Sequence, residues 1–307
     1  MGYPIVTFGE ITGDVETEVA GALAALGAES VFVAAPAEGP VTAGAVERLR
    51  ALGVNTDHIP APGGRSISAE MGDWEVIFHD AGWFFFTGLT PGQSETGAMA
   101  ALEAVRAASE EELTVFFDVS FRKTLWSWQQ GVSPRELAGA VTRRILSYVD
   151  IVIASAEDIV PMVKTTNGMV PDATLTLDAC CDLAAKVAEE FPNVMMVAIL
   201  LRERAADGTM RLGAMLYDVD GMMAHLAPLS EEMDITPYVI PADVDPIDGE
   251  VAFAAGLTYA LTTDGLDDPP RAIGFAAAMA YLRLTQPGEG GFPALADVEA
   301  LMSGVKP

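Results

Sequence analysis

The 307 residues, half of them hydrophobic, fit a single large α/β domain over residues 1–307 and exclude global disorder. Forty-four acids against seventeen bases leave a net charge of −27, and lysine occurs only at Lys123, Lys164, Lys186 and Lys306. Such a surface repels polyphosphate and excludes nucleic acid as a partner.

The acids are scattered rather than massed in a tail. That is the pattern of a solubility coat, suited to a salty cytoplasm where ions screen the self-repulsion; a basic partner is the other reading. Cys180 and Cys181 are adjacent and cannot clamp distant segments, which argues for a reducing compartment. No basic-then-apolar leader opens the chain, and no apolar run reaches the roughly 20 residues of a membrane helix. The expectation is a soluble, cytoplasmic protein without membrane contact.

Along the chain, apolar runs alternate with helical periodicity. Strands are expected at Ile5–Phe8, Ser30–Ala35, Trp83–Thr87, Leu113–Asp118, Ile151–Ala154 and Val194–Leu200. Between them the spacing predicts helices over Val15–Leu26, Val41–Leu52, Ser94–Ala108, Pro134–Leu146 and Leu177–Glu190. A β-rich stretch around Leu212–Leu226 follows, then helices near Gly249–Thr262, Arg271–Leu284 and Ala294–Met302. Pro60–Gly64 and Ser230–Asp245 read as loops. Near-continuous apolar strands separated by amphipathic helices predict a three-layer α/β/α sandwich with a mostly parallel sheet.

The common catalytic motifs are missing. No glycine-rich segment ends in Gly-Lys-Ser/Thr, no Gly-x-Gly-x-x-Gly opens the first helix, and no Gly-x-Ser-x-Gly elbow occurs. His58, His79 and His225 lack metal-ligand spacing, so no metal site is expected from them.

Seven phrases in order carry more. They are FGE at Phe8–Glu10, WFFFTGLTP from Trp83, DVSFRKTLW from Asp118, SAED at Ser155–Asp158, LRE at Leu201–Glu203, VDPIDGEVAFAAGLTYAL from Val244, and LTQPGEGGF ending at Phe292. Together these resemble the ribokinase-like, PfkB-type carbohydrate kinases, above all the 2-keto-3-deoxygluconate kinases. The resemblance implies a ribokinase-like fold, with Glu18, Asp118 and Arg122 at sugar-binding positions and Ser155, Glu157, Arg202 and Gly249 at nucleotide-binding ones.

The same phrases show departures from the family pattern. The family's glycine-rich turn ends in an aspartate that takes the sugar hydroxyl's proton, and its backbone N–H groups face the phosphate. Here the four positions read Asp248, Gly249, Glu250, Val251. Val251 stands where the base belongs, and two carboxylates stand where the phosphate would lie; the other reading of Asp248 is a plain helix cap, with Glu250 favouring the helix's positive end. Glu18 takes an asparagine's place, Ser120 another's, and Ser155 and Ala156 replace Asn-Glu. Arg122 would hold a sugar-acid carboxylate or form a surface ion pair. Only 25 positions separate His58 from Trp83, too few for the family's lid, so GRSISAEMGDWEVIF reads as the remnant of an excised hairpin.

The expectation is therefore a catalytically degenerate sugar-kinase homologue, a pseudokinase acting as a protein-binding or structural subunit. It would have no catalytic residue intact, no cofactor and no metal. Its partner would be another protein, or its own copy in a homo-oligomer through the lid-less face, with Trp74 and the WFFFTG aromatics as contacts or else as a central strand and its packing. The alternative is an active 2-keto-3-deoxygluconate-type kinase using ATP and Mg, with Asp245, Asp248 or Glu250 as surrogate base.

Overall fold

The computed structural model describes residues 2–11, 15–33, 40–59, 74–159, 176–230, 232–241, 244, 247–285 and 291–304, without the side chains of 40–42 and 156–157. One nine-stranded sheet runs through it. Its strands are β1 (Ile5–Phe8), β2 (Ser30–Val33), β3 (Trp83–Thr87), β4 (Thr114–Asp118), β5 (Ile151–Ser155), β6 (Met196–Arg204), β7 (Met210–Asp218), β8 (Met223–Ala227) and β9 (Tyr238–Ile240). The order is β2-β1-β3-β4-β5-β6-β7-β8, with β9 also on β7. The first six strands pair in parallel, and β7 turns back antiparallel on β6.

Helices α1 (Val15–Ala25), α9 (Ile247–Leu261), α10 (Pro269–Thr285) and α11 (Leu295–Met302) cover one face. The other face carries α3 (Trp74–Phe78), α5 (Glu95–Glu110), α6 (Pro134–Leu146) and α8 (Leu177–Glu190). At the β2 edge lies α2 (Pro40–Ala51), and two short helices, α4 (Leu89–Gln93) and α7 (Ala156–Ile159), follow β3 and β5. Strand alternation explains the two layers. Phe85 and Phe116 point into the α1/α9/α10 layer, while Phe84, Phe86 and Phe117 point into the other. Phe86 and Phe117 stack there with centroids 4.7 Å apart. Every predicted helix and strand lies at or near its expected span; of Ser30–Ala35, Ala34 and Ala35 lie outside the described residues.

Three expectations need correction. The span Ser230–Asp245 is not loop throughout, because Tyr238–Ile240 pairs with Met210–Leu212. Tyr-Val-Ile favours a strand, Ile240 is fully buried, and Tyr238 stacks on Tyr281 at 4.4 Å. The WEVIF end of the supposed hairpin remnant is helix α3, which sets Trp74 and Phe78 on one helical face against Phe8 and Phe84. The rest of that segment, residues 60–73, lies outside the described residues, as does the Pro60–Gly64 loop, so the lid expectation rests there untested. Finally, Phe84, Phe85 and Phe86 are wholly buried and Trp74 nearly so. They are the central strand and its packing, and leave no aromatic patch for a partner.

Candidate functional site

In a parallel sheet, ligand sites form beyond the carboxyl ends of the strands. Here Asp118 ends β4, Ser155 ends β5, and Arg202 lies near the end of β6. The first turn of α9 meets them. Glu250 Oε1 lies 2.6 Å from Arg202 Nη1, and its Oε2 lies 3.5 Å from Arg122 Nη2. Asp118, Ser120, Ser155, Asp158 and Glu250 thus enclose a hollow of about 10 Å³, room for about one water.

The electrostatics follow from burial. Asp118 is pushed up to about 8, chiefly by desolvation, with Glu250 and Asp158 adding to it and hydrogen bonds from Ser120 opposing it. Ser120 reaches that position with φ of 34°, a left-handed conformation uncommon for a non-glycine residue. Asp158 is pushed up to about 6 by burial and by Glu250, against Ser155, Arg202 and Arg122. At neutral pH Asp118 is therefore mostly protonated, and the charges of Asp158 and Glu250 match those of the two arginines. The cluster is closed on itself electrically.

Ser155 caps the short helix α7: its Oγ donates to Asp158 Oδ2 at 2.7 Å and accepts from the Asp158 N–H at 3.3 Å. Glu157 stands on α7, its side chain outside the described residues, and Asp245 lies outside them altogether.

A second group shares the same turn of α9. Asp248 is inside the first turn, not at the cap position before it; this corrects the cap expectation, and its carboxylate meets Arg283 Nη2 at 3.4 Å. Arg283 also approaches Glu18 at 3.9 Å, donates to the Gly291 carbonyl at 2.8 Å and lies over the Phe292 ring. Glu18 is held at 2.8 Å by Arg48 from α2. Gly249 has a packing reason of its own, since a Cβ there would come within 2.6 Å of Leu284 Cδ1 on α10. Val251, expected at the position of the family's base, is buried in the core between the layers.

The structure therefore joins Asp118, Arg122, Ser155, Arg202 and Glu250 in one cluster, with Glu18, Asp248 and Gly249 beside it. Sequence reasoning missed Asp158 in the cluster, Arg283 beside it, and Glu16 at the end of β3. Asp158 was visible only as the end of SAED. Arg283 gave no signal of its own, although it directly precedes the LTQPGEGGF phrase. Glu16 is buried and accepts hydroxyl hydrogen bonds from Thr87 at 2.6 Å and Thr90 at 3.1 Å. Its only trace in the sequence is Gly9, where a Cβ would strike the Glu16 side chain.

No family model matches the chain. The 2-dehydro-3-deoxygluconokinase of Thermotoga maritima superposes with a TM-score of 0.80 at 26% identity, over 98% of this chain and all of that one. A PfkB family carbohydrate kinase from Listeria grayi gives 0.76 at 17%, over 98% and 99%. A fructokinase with bound ATP from Xylella fastidiosa gives 0.72 at 20%, over 99% of each chain. The fold is that of the ribokinase-like, PfkB-type carbohydrate kinases. In sequence, the chain is 29% identical over 144 residues to a 2-dehydro-3-deoxygalactonokinase of Haloferax volcanii. That match spans 46% of this chain and 38% of that relative, well under two thirds of its length.

Proposed function

We propose that this chain is a catalytically degenerate sugar-kinase homologue, retaining the kinase fold as a protein-binding or structural subunit. The observation that carries the reading is Glu250, whose carboxylate takes up both Arg202 and Arg122 at the head of α9. A nucleotide's phosphates would need those cations and that helix terminus. Instead they would meet Glu250 and Asp248, and at about 4 Å like charges repel by roughly 4 kcal/mol at an effective dielectric of 20. The side chains present do not fit a triphosphate. Among the described residues no group of three metal-binding side chains is placed for a metal ion.

The partner we propose is another protein or a second copy of this chain, meeting the face above Asp118. Among the described residues no helix is long and apolar enough to cross a membrane; a cytoplasmic location is part of the same proposal. The test is titration calorimetry of the full chain with Mg and ATP, alongside a phosphotransfer assay on a panel of sugar acids. No binding heat and no turnover are expected.

The alternative, an active ATP- and Mg-dependent kinase for a 2-keto-3-deoxy sugar acid, is favoured by one observation: 26% identity to a 2-dehydro-3-deoxygluconokinase across 98% of the chain. Of the two described surrogate bases, Asp248 is more than half exposed and less committed to other groups than Glu250. Turnover in the same assay would establish that reading instead.

A further inference from the structure

On the sheet face opposite α9, helices α5 and α6 flank an open hollow of about 430 Å³. This falls within the range of small-molecule sites. Leu102 of α5 and Leu137, Val141 and Ile145 of α6 line it, and Trp128, from the loop before α6, closes one end.

Polarity varies along the hollow. Both helices are crossovers between neighbouring parallel strands on the same sheet face, so they run in the same direction. Glu95, in the first turn of α5, and Arg144, in the last turn of α6, therefore stand at opposite ends of the hollow. From Leu137 to Arg144 helix α6 rises about 10 Å. Arg144 is exposed and makes no ion pair among the described residues, in a chain whose net charge is −27. The result is an elongated trough of mixed polarity, with Gln129 and Gln130 beside Trp128, an exposed guanidinium at one end and a carboxylate at the other.

We infer that this trough binds a medium-chain alkyl carboxylate. Its head group pairs with Arg144, and its tail lies along Leu102 and Val141 toward Trp128. Glu95 disfavours the reverse orientation by repelling the head group. A cation of the same length would have to turn around to pair with Glu95 and would not depend on Arg144, and a neutral alcohol would lose the ion pair.

Octanoate titrated into the full chain, followed by calorimetry and ligand-observed NMR, provides the test, with 1-octanol and octylammonium as comparison probes. Saturable octanoate binding at millimolar concentration is expected, tighter than that of 1-octanol and, unlike that of octylammonium, dependent on Arg144. Ala140 lines the hollow from an exposed position on α6, so Ala140→Leu fills the hollow without entering the core. It should weaken octanoate binding about tenfold or more. Arg144→Gln should weaken octanoate several-fold and leave 1-octanol unchanged. Absence of saturable binding, or equal octanoate binding by wild type and both variants, overturns the inference. Should Ala140→Leu fail to fold by circular dichroism, Arg144→Gln decides alone: unchanged octanoate affinity overturns the site. Neither variant touches the cluster at Glu250, so the outcome is independent of the nucleotide titration.

Discussion

Glu250 in the first turn of α9 and Arg202 near the end of β6 form an ion pair of 2.6 Å, with Arg122 completing it at 3.5 Å from the loop after β4. Each of the three side chains is two-thirds or more buried. Removing the carboxylate leaves two guanidinium groups with only Asp158 as counter-ion, which costs more than a surface pair is worth. Glu250→Gln should lower stability by about 1–3 kcal/mol, between the surface and fully buried limits. Urea unfolding would measure it, and a change near zero would mean that solvent screens the pair.

The buried carboxyls set a pH dependence of definite sign. Asp118 moves from 3.8 in the free residue to about 8, and Asp158 from 3.8 to about 6. Between those values the folded chain holds protons that the unfolded chain has released. Stability from these groups is therefore full below about 4 and declines as pH rises, through about 6 for Asp158 and about 8 for Asp118. Asp118→Asn removes the part that extends to about pH 8. Relative to wild type, the variant should gain stability steadily up to about pH 8 and then level off. Parallel stability curves for the two proteins across that window would show that Asp118 ionises normally.

Much of the fold was legible because the strands are apolar on both faces and the helices are amphipathic or apolar throughout. Trp83–Thr87 reads as a central strand from its three consecutive phenylalanines, which two helix layers then bury. Tyr238–Ile240 was hidden because three residues inside a polar, proline-containing stretch carry no period to detect. Trp74–Phe78 was misread because five residues show the i, i+4 pair of Trp74 and Phe78 only once. At the site, Asp118, Arg122, Arg202 and Glu250 were findable from collinear phrases. Their mutual pairing was not, since it depends on how far α9 advances over β4 and β6. Arg283 and Glu16 are linked to their partners only through tertiary structure.

Gly88 follows β3 where the chain passes the backbone after β4, and its N–H donates to the Asp118 carbonyl at 2.8 Å. A Cβ at Gly88 would lie 2.0 Å from the Val119 carbonyl oxygen, which is main chain and cannot rotate away. Gly88→Ala should therefore cost about 3 kcal/mol or more. Gly249→Ala meets chiefly the tip of the Leu284 side chain and should cost nearer 1 kcal/mol, about that of a modest overpacking. Thermal midpoints of the two variants compare them directly; equal losses would mean that the strands can part at Gly88.

A net charge of −27 makes the compact state repel itself, and added ions screen that repulsion. The thermal midpoint in molar potassium chloride should exceed that in dilute buffer. The ion pairs at Glu250 and Glu18 work against this trend, but they are few beside the excess of acids. A midpoint that fails to rise would show local compensation of the surface carboxylates.

The last test reverses the departures at the head of α9. Asp248→Gly, Glu250→Gly and Val251→Asp together remove two carboxylates from the helix terminus and free Arg122 and Arg202 for an anion. ATP affinity should appear in calorimetry, where none is expected of the unmodified chain. Stability should fall at the same time, because Val251 is buried and an aspartate there must be desolvated. Phosphotransfer should stay far below that of a working kinase. Glu18 remains tied to Arg48 and Arg283, and Ser120 still faces Asp118, so a sugar acid would reach the new aspartate without the groups that orient it. Efficient turnover by the triple variant would mean that the turn alone had silenced the enzyme. Tight ATP binding by the unmodified chain would show that Glu250 yields to phosphate, which sinks the degenerate reading.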